Sequence, residues 1–536
     1  MAPFRAFMAN PDPLRGRHPF LMLPVLTPDQ SSAWDRKAVG AGIELATLME
    51  CAGRAVLGVF VPRFATRVSE GVLVAAGPGH NGGDGWVVAR ALHRADVPVW
   101  VTSPPGAGAT LREKMAALAR AEGVREVAPD GPWPRVGVVV DALLGTGASG
   151  PPRPPMAALL DRLLDLEVPV VAVDGPTGVD LLSGTVHGSP RADLTVTFGG
   201  FRRGHLLARD EVGAVVVVDI GHPPAERDWP ALVSDRDAAG WLPRLRARDH
   251  KGTRGRVVVI GGDAGMTGAV RMASRAAFAA GAGLVHAVAP AETVAALVSA
   301  EPDLQTLAHA FDREPSPELH ELVARADAVV IGPGLGCAPG RRDLVSALAR
   351  SARALVLDAD ALVAFQGAAD DLRPLADGRK VVLTPHAGEF RTLFPELASQ
   401  RELDPWGAAA LAAGRTSAVV LLKGVPMVTA SAAGAGLTVA SGNPGLATGG
   451  SGDVLSGIIG TVLAQGLDPV VAAAWGAQAL GRAADIAARR VTARALRPMD
   501  VIAALPDLWR EWDVLPRSPP VPRPPVLLEV PRPQTL

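Results

Sequence analysis

The chain has 536 residues, of which 48% are hydrophobic and 20% charged, so it is long enough for two large domains and too apolar for a disordered chain. Its 53 Lys and Arg against 54 Asp and Glu leave a formal charge of -1, which argues against nucleic acid or an anionic membrane as a partner. The two cysteines, Cys51 and Cys337, lie far apart and outside any CxxC, so neither a disulfide framework nor a thiolate zinc site is expected. We therefore expect a cytoplasmic protein that acts on small molecules.

The first segment, 1–24, has an apolar stretch that is short and interrupted by Pro24, so we interpret it as an N-terminal extension and not as a secretory signal. Beyond it, runs rich in Val, Ile and Leu alternate with segments of helical length, which is typical of βαβ units and a parallel sheet. The uninterrupted apolar runs indicate that both faces of each sheet are covered. The predicted strands are Gly71–Ala76, Val136–Val140, Val168–Val173, Leu194–Phe198 and Ala214–Asp219, then Arg256–Ile260, Gly283–Ala289, Ala328–Ile331, Ala354–Leu357, Lys380–Leu383 and Ser417–Leu422.

A stretch with several prolines and no strand signal, His222–Asp249, separates the two series of strands. We accordingly place the first domain at 25–225, a linker at 226–244 and the second domain at 245–508. The end of the chain, 509–536, is rich in proline and predicts an extended, mobile tail. No run of about 18 consecutive apolar residues indicates a membrane-spanning helix.

The first strand of the first domain ends in a glycine-rich loop, Gly77–Gly85, which opens a predicted helix at Trp86–His93. Gly77, Gly79 and Gly82 match the GxGxxG spacing, in which backbone N–H groups approach a phosphate at a helix N-terminus. A structural turn that needs glycine for a positive φ remains the alternative for this loop alone.

Two later strands of the same domain end in similar loops, Asp141–Gly147 and Asp174–Gly178. Three such loops meet along the carboxyl edge of a parallel sheet, where ligands of open α/β sheets bind. Asn81, Asp141 and Thr177 offer an amide oxygen, a carboxylate and a hydroxyl to one hard cation. On chemistry alone potassium, sodium and magnesium fit equally, and helix or turn capping is the alternative role for each residue.

The motifs GPGHNGGDGWVVAR, DALLGTG and DGPTGVD, in this order and spacing, resemble those of the NAD(P)H-hydrate epimerase family over roughly residues 25–225. The resemblance implies a Rossmann-like domain that interconverts the R and S hydrates of reduced nicotinamide nucleotides, with potassium held by Asn81, Asp141 and Thr177. Two departures are His80, where the family often has Asn, and Thr177, where it often has Ser. We assign Asp174 as the acid or base of the reaction. The hydrate-binding residues implied are His80, Asn81, Gly82, Gly83, Asp84, Gly145, Thr146, Gly147, Ala148, Ser149, Gly150, Pro151 and Asp174.

The second domain has its own glycine-rich loop, Gly442–Asp453, directly before an apolar helix predicted at Val454–Leu463. Such a loop forms a concavity of N–H groups for phosphate, and the helix dipole adds positive potential. Asp453 either caps this helix or accepts a proton from a hydroxyl that receives phosphate. No GxxxxGK[ST] motif occurs, which argues against a P-loop NTPase.

Further strand-end motifs of this domain, with the GxGD sequence, resemble a ribokinase-like fold and the ADP- or ATP-dependent NAD(P)H-hydrate dehydratase family over roughly residues 245–508. These motifs are Arg254–Met266, Ile331–Gly336, Leu357–Asp360, Thr384–Glu389 and Leu422–Gly424. The resemblance implies that Ala269, Gly334, His386 and Asp453 contact the hydrate, and that Lys423, Gly424, Val425, Pro426, Met427 and Gly452 contact the nucleotide. It also implies Asp453 as the catalytic base and magnesium with ADP or ATP as co-substrate, ADP giving AMP and phosphate. On the residues alone, His386 is equally a polar loop residue and Lys423 a solvated charge.

The sequence thus predicts an α/β protein with an N-terminal Rossmann-like three-layer domain followed by a ribokinase-like α/β domain. The expected function is repair of hydrated NADH and NADPH by epimerisation and nucleotide-dependent dehydration. Its partners are these small molecules, and we expect a homo-oligomer. The alternative is a ribokinase-type small-molecule kinase whose N-terminal domain binds a ligand without catalysis.

Overall fold

The computed structural model describes residues 22–104, 110–188, 191–515 and 526–535. Within them the chain forms two compact units. The N-terminal unit comprises Leu23–Pro230 together with 526–535, and the C-terminal unit comprises 231–515. Each unit is built around its own largely parallel sheet.

The N-terminal unit is a three-layer α/β domain. Its main sheet has the order β9-β7-β6-β5-β2-β3-β4, and all neighbouring strands in this series are parallel. Val72 and Val74 belong to the core beneath α2 and α4, whereas Leu73 and Ala75 pack with α6 on the opposite face. The carboxyl ends of β2, β5 and β6 therefore lie side by side. The elements are strands β1 (Leu23–Leu26), β2 (Val72–Ala76), β3 (Val99–Thr102), β4 (Arg125–Val127), β5 (Val138–Ala142), β6 (Val170–Val173), β7 (Leu194–Phe198), β8 (Phe201–Arg202) and β9 (Ala214–Val218), and helices α1 (Pro28–Gly40), α2 (Leu45–Arg63), α3 (Ala65–Val68), α4 (His80–Arg94), α5 (Leu111–Ala121), α6 (Met156–Leu164) and α7 (Arg203–Leu207).

Helix α4 begins earlier than predicted. We expected a loop up to Gly85, but the helix begins at His80 and Gly79 is its N-cap. A Cβ on Gly82 would lie 1.9 Å from the carbonyl oxygen of Gly77, so glycine is needed here for close packing of the helix start on the preceding loop. The glycine run that we interpreted as a loop is instead part of a tightly packed helical turn.

Among the described helices, only α2 is long and apolar enough to cross a membrane by length and composition. Its Leu48, Ala52 and Val56 are buried in the core of the N-terminal unit, where the helix packs against α4. The apolar face of α2 is thus covered by its own unit.

The C-terminal unit is also an α/β domain. Its strands follow the order β13-β12-β11-β14-β15-β16-β17-β18-β19-β10, and β18 is antiparallel to both of its neighbours. Helices α9, α18 and α19 cover one face of this sheet and form the largest hydrophobic core of the unit. The elements are strands β10 (Ala231–Leu232), β11 (Arg256–Ile260), β12 (Leu284–Ala289), β13 (Gln305–Ala308), β14 (Ala328–Ile331), β15 (Ala354–Leu357), β16 (Lys380–Leu383), β17 (Val419–Leu422), β18 (Met427–Ser431) and β19 (Gly434–Val439), helices α8 (Asp235–Trp241), α9 (Thr267–Ala279), α10 (Ala291–Ala300), α11 (Pro317–Arg325), α12 (Arg341–Ser351), α13 (Asp360–Val363), α14 (Arg373–Ala376), α15 (Ala387–Leu393), α16 (Ala398–Leu403), α17 (Pro405–Thr416), α18 (Ser451–Ala464), α19 (Pro469–Ala495) and α20 (Pro498–Asp513), and short 3₁₀ turns at Ala369–Leu372, Pro395–Leu397 and Pro444–Leu446.

The predicted linker, 226–244, is ordered over much of its length. It contains β10, which pairs with β19, and helix α8, whose N-cap Ser234 accepts a hydrogen bond from the backbone N–H of Asp237. The indole N–H of Trp475 donates to the carbonyl of Ala238 at 3.0 Å. The second half of this segment is therefore a packed part of the C-terminal unit.

The two predicted ends of the chain differ from the structure in their boundaries. Residues 1–21 of the N-terminal extension and 516–525 of the predicted tail lie outside the described residues. Leu23 already begins β1, and α20 continues past the predicted boundary at 508 as far as Asp513.

The last described segment forms a strand, β20 (Val526–Val530), that is antiparallel to β9 in the N-terminal unit. Arg63 holds Glu529 through two hydrogen bonds, Nη1–Oε1 at 3.0 Å and Nη2–Oε2 at 2.6 Å. Arg209 donates from Nη2 to the carbonyl of Pro531 at 2.6 Å. This part of the tail is anchored to the sheet, and the prediction of a mobile tail is wrong for it.

Ending the chain after Leu515 should destabilise the N-terminal unit by about 2 kcal/mol, because each lost ladder hydrogen bond contributes about 1 kcal/mol. The amide hydrogens of β9 should exchange faster, and the exposed edge should promote self-association. Hydrogen exchange and light scattering measure both effects. Glu529→Gln is the matched control, since loss of an exposed ion pair should cost about 0.5 kcal/mol. Unchanged β9 exchange after truncation would show that β20 does not cover this edge.

Candidate active sites

A cavity of about 450 Å³ lies at the carboxyl edge of the N-terminal sheet. The start of α4 and the loops after β5 and β6 form its polar wall, and α2 with Phe198 and Ile220 forms its apolar wall. The predicted hydrate-binding residues that line it are His80, Asn81, Asp84, Gly145, Thr146, Gly147, Ala148 and Asp174. The predicted residues Gly82, Gly83, Ser149, Gly150 and Pro151 are not part of its wall. The structure therefore brings most of the predicted set together.

Asp174 is held at the cavity by hydrogen bonds to both carboxylate oxygens. Oδ2 accepts from the backbone N–H of Thr146 at 2.8 Å and from the Thr146 hydroxyl. Oδ1 accepts from Thr197 Oγ1 and from Arg202 Nη2, each at 3.2 Å. Burial favours the neutral acid, but the charge of Arg202 and the donors of Thr146 outweigh it and lower the pKa of Asp174. Its surroundings thus stabilise Asp174 in the ionised form.

Arg202 and His205 both form hydrogen bonds to Asp174, and neither was predicted from the sequence. Arg202 also donates to the carbonyl oxygens of Phe198 and Gly200, so its guanidinium is fixed. His205 Nδ1 accepts from the Arg202 backbone N–H at 3.0 Å, which leaves Nε2 to donate to the Asp174 carbonyl at 2.6 Å. Burial lowers the pKa of His205 to about 4, so the ring is neutral. The one sequence signal for Arg202 and His205 is their position shortly after β7. The carboxyl end of this strand lies at the same sheet edge as the ends of β5 and β6.

Asp141 and Thr177 form a buried, hydrogen-bonded pair at the carboxyl edge of the N-terminal sheet. The Thr177 hydroxyl donates to Asp141 Oδ1 and its backbone N–H donates to Oδ2, both at 2.7 Å. Burial raises the pKa of Asp141. Both amide atoms of Asn81 are buried without a hydrogen-bond partner among the described residues. A buried carboxylate without a cationic partner and an unsatisfied amide oxygen fit the predicted cation site.

The start of helix α18 holds two of the predicted site residues of the C-terminal unit. We predicted the helix from Val454, but it begins at Ser451 with Gly450 as its left-handed N-cap, so Gly452 and Asp453 lie in its first turn. Burial and the charge of Asp358 raise the pKa of Asp453 to about 7, against the opposing effect of Lys423. A carboxyl group with this pKa can take up and release a proton near neutral pH.

Lys423 lies beside this turn within a cluster of acidic groups. Its Nζ is 2.8 Å from Asp358 Oδ1 and 3.6 Å from Glu389 Oε2, and a Cβ on Gly452 would lie 3.2 Å from it. Asp358 Oδ2 is buried and has no hydrogen-bond partner among the described residues. Lys423 is therefore a fixed, mostly buried cation and not a solvated charge. Asp358 and Glu389 stood in the predicted motifs, but no sequence pattern assigned them a role.

The other predicted hydrate-binding residues of the C-terminal unit are Ala269, Gly334 and His386. Gly334 packs against Ala269, since a Cβ on Gly334 would lie 3.1 Å from the Ala269 Cβ. His386 is the N-cap of α15, where its Nδ1 accepts from the backbone N–H groups of Gly388 and Glu389 at 2.9 and 3.2 Å. Its ring is 58% exposed, so the cap leaves one side open to a ligand.

The predicted nucleotide segment joins β17 to β18. Gly424 and Val425 are exposed, Pro426 is buried and Met427 begins β18. Lys423 alone of this segment belongs to the cluster beside Asp453.

These features are those of a two-domain α/β protein with a cavity lined by carboxyl groups in one unit and a glycine-capped helix start beside Lys423 in the other. The family described as NAD(P)H-hydrate dehydratase matches residues 257–507, and the family described as YjeF-related protein N-terminus matches residues 45–204. The chain belongs to the family of bifunctional NAD(P)H-hydrate repair enzymes. The predicted family is confirmed by these matches, and the predicted α/β class is confirmed by the sheet of each unit.

Two relatives illustrate the extent of the similarity. The bifunctional NAD(P)H-hydrate repair enzyme Nnr of Escherichia coli is 36% identical over 479 residues, which cover 87% of this chain and 89% of that protein. The enzyme of the same name from Salinibacter ruber is 36% identical over 525 residues, which cover 90% and 95% of the two chains. Among solved structures, the ADP/ATP-dependent NAD(P)H-hydrate dehydratase from Bacillus subtilis, co-crystallised with ATP/Mg²⁺, is 25% identical, covers 52% of this chain and 97% of its own, and has a TM-score of 0.44.

Proposed function

We propose that the cavity of the N-terminal unit interconverts the R and S hydrates of NADH and NADPH, and that the start of α18 is the site at which the S hydrate is dehydrated with ADP or ATP. The family shows the pair of activities. The observation that carries the assignment of the sites is Asp453, a partly buried carboxyl group with a pKa of about 7 beside the fixed cation Lys423. The alternative of a small-molecule kinase has no comparable support in the N-terminal unit.

The dehydration follows from this arrangement. Hydroxide is a poor leaving group, so Asp453 takes the proton of the hydrate's hydroxyl as the oxygen attacks the terminal phosphorus of the nucleotide. Lys423 and the N-terminus of α18 offset the negative charge that develops on the transferred group. The ring nitrogen then expels phosphate, the adjacent carbon loses a proton to the released phosphate or to water, and the ring double bond is restored. With ADP, which we propose as the nucleotide, the products are AMP and phosphate.

Magnesium enters with the nucleotide as part of the co-substrate and screens its phosphates. Among the described residues, no group of three or more His, Cys, Asp or Glu side chains is arranged to hold a metal ion. We accordingly assign magnesium no protein ligand of its own.

Potassium fits the N-terminal site, where Asn81, Asp141 and Thr177 would hold it next to the substrate. Its charge would compensate the buried Asp141 carboxylate, and Asn81 Oδ1 would gain the partner that it lacks. We expect potassium to raise the Tm of the N-terminal unit by a few degrees, relative to tetramethylammonium at equal ionic strength. An Asn81→Leu variant should lose this shift, whereas Asn10→Leu, in the N-terminal extension, should keep it. An equal shift in both variants would contradict this site.

The whole proposal is tested by following absorbance at 340 nm with an R/S mixture of hydrated NADPH, magnesium, potassium and ADP or ATP. Full nucleotide-dependent recovery supports both activities. Recovery that stops at the S fraction would remove the epimerase assignment, and no recovery with either nucleotide would favour the small-molecule kinase. We also propose that the protein is a cytoplasmic homo-oligomer. Light scattering on the purified protein tests the oligomeric state.

A further inference from the structure

Asp84 is a second acidic residue in the wall of the N-terminal cavity, and its surroundings differ from those of Asp174. It lies on the same face of α4 as His80 and Asn81, which also line the cavity. Asp84 is only 9% exposed. Among the described residues, none donates a hydrogen bond to its carboxyl group and none forms an ion pair with it.

The surroundings of Asp174 and Asp84 therefore shift the pKa values of their carboxyl groups in opposite directions. Asp174 has four donors, among them Arg202, that stabilise its charge. Asp84 has only burial and the charges of Asp174 and Asp35, all of which raise its pKa, to well above the usual value. His80 and Asp35 also line the cavity, and Asp35 pairs with His222 at 2.7 Å. Two carboxyl groups whose pKa values are shifted in opposite directions thus line the same cavity, a separation that assigns acid and base roles in other enzymes.

Epimerisation of the hydrate by ring opening needs both an acid and a base. The base removes the hydroxyl proton, the carbon–oxygen bond becomes a carbonyl, and the bond from that carbon to the ring nitrogen breaks. The electron pair of that bond goes to the nitrogen, which takes a proton from the acid. After rotation of the open aldehyde, the nitrogen attacks its other face, and both protons return to the groups from which they came. No outside oxidant, reductant or proton source is needed.

We propose that Asp84 is the catalytic acid of the epimerase, which protonates the ring nitrogen while Asp174 accepts the hydroxyl proton. This inference rests on the proposed function of the cavity. It goes beyond hydrate binding, because it gives the two aspartates different and complementary protonation states.

The test uses Asp84→Asn in the full chain, with pure R hydrate, ADP and magnesium. Recovery from R hydrate needs both activities, whereas recovery from S hydrate needs only the C-terminal unit and serves as an internal control. General acid catalysis is worth about 100- to 10,000-fold, so R recovery should fall at least 100-fold while S recovery is unchanged. Asn has nearly the shape of a neutral Asp, so the fold should be kept. Asp96→Asn, in the exposed turn after α4, is the matched control.

The pH profile separates catalysis from a structural effect. In the native chain, R-to-S conversion should decline at alkaline pH, because the acid works only while protonated and is lost as the pH rises through its pKa. The residual conversion of Asp84→Asn should lack this decline, and Asp84→Glu should restore part of the rate. The proposal for Asp84 would be overturned if Asp84→Asn converted R hydrate at a rate within threefold of the native value. It would also be overturned if the alkaline decline were lost in His80→Asn and not in Asp84→Asn. If Asp174→Asn also converts R hydrate normally, the assignment of the cavity itself fails.

Discussion

An Asp453→Asn variant is expected to lose nucleotide-dependent recovery from S hydrate by roughly 100- to 10,000-fold, the range that a general base contributes. Asn has a similar shape but cannot accept the proton of the attacking hydroxyl. R-to-S interconversion should continue in the same protein, because Asp453 belongs to the other unit. Absorbance at 340 nm measures the first activity and chromatographic separation of the hydrates measures the second.

The pH dependence of the native dehydratase gives an independent check. A base works when deprotonated, so the rate should rise as the pH increases through about 7, the pKa to which burial and Asp358 raise Asp453. Asp303→Asn, at an exposed position, is the matched control and should leave rate and profile unchanged. An Asp453→Asn variant that retains more than a tenth of the native rate would show that another group removes the proton.

The second large effect is expected for Arg202→Met. The Arg202 side chain is 4% exposed and pairs with buried Asp174, and loss of one partner of a buried pair costs about 3 to 5 kcal/mol. Without this cation the pKa of Asp174 should rise, and the base should become protonated near neutral pH. We therefore expect a lower unfolding free energy for the N-terminal unit and a loss of R-to-S conversion at pH 7 that is partly reversed at higher pH.

Arg202→Lys is the matched comparison, because it keeps the charge but not the planar group that also reaches two carbonyl oxygens. It should retain more stability and more activity than Arg202→Met. Equal pH profiles for native protein and Arg202→Met would mean that Arg202 does not set the protonation state of Asp174.

The strands that could be predicted from the sequence are those buried on both faces. The apolar runs at Arg256–Ile260, Ala328–Ile331 and Lys380–Leu383 have the predicted bounds in the structure. Two of the missed strands lack such runs: β19 contains three glycines or alanines before Leu437, and β10 has only two residues. Their pairing is decided by neighbouring strands and not by local hydrophobicity.

The site residues likewise divide into those that a local sequence pattern predicts and those whose roles depend on partners distant in the chain. Asp141 and Asp174 were predicted because each stands where an apolar strand ends in a glycine-rich loop. Arg202 and Asp358 were not assigned, because their roles depend on partners 28 and 65 residues away in the chain. Sequence position alone does not indicate such contacts, and the pKa differences that follow from them become visible only in the folded protein.

Strand β20 changes how the relation between the two activities should be described. The last strand of the N-terminal unit comes after the entire C-terminal unit in the chain. In topological terms the dehydratase is thus inserted into the epimerase before its final strand, and the two do not simply follow one another. An isolated epimerase cut after Pro230 would be an incomplete domain with a bare edge at β9, so an independent version should carry residues 526–535 joined back to it through a new connection.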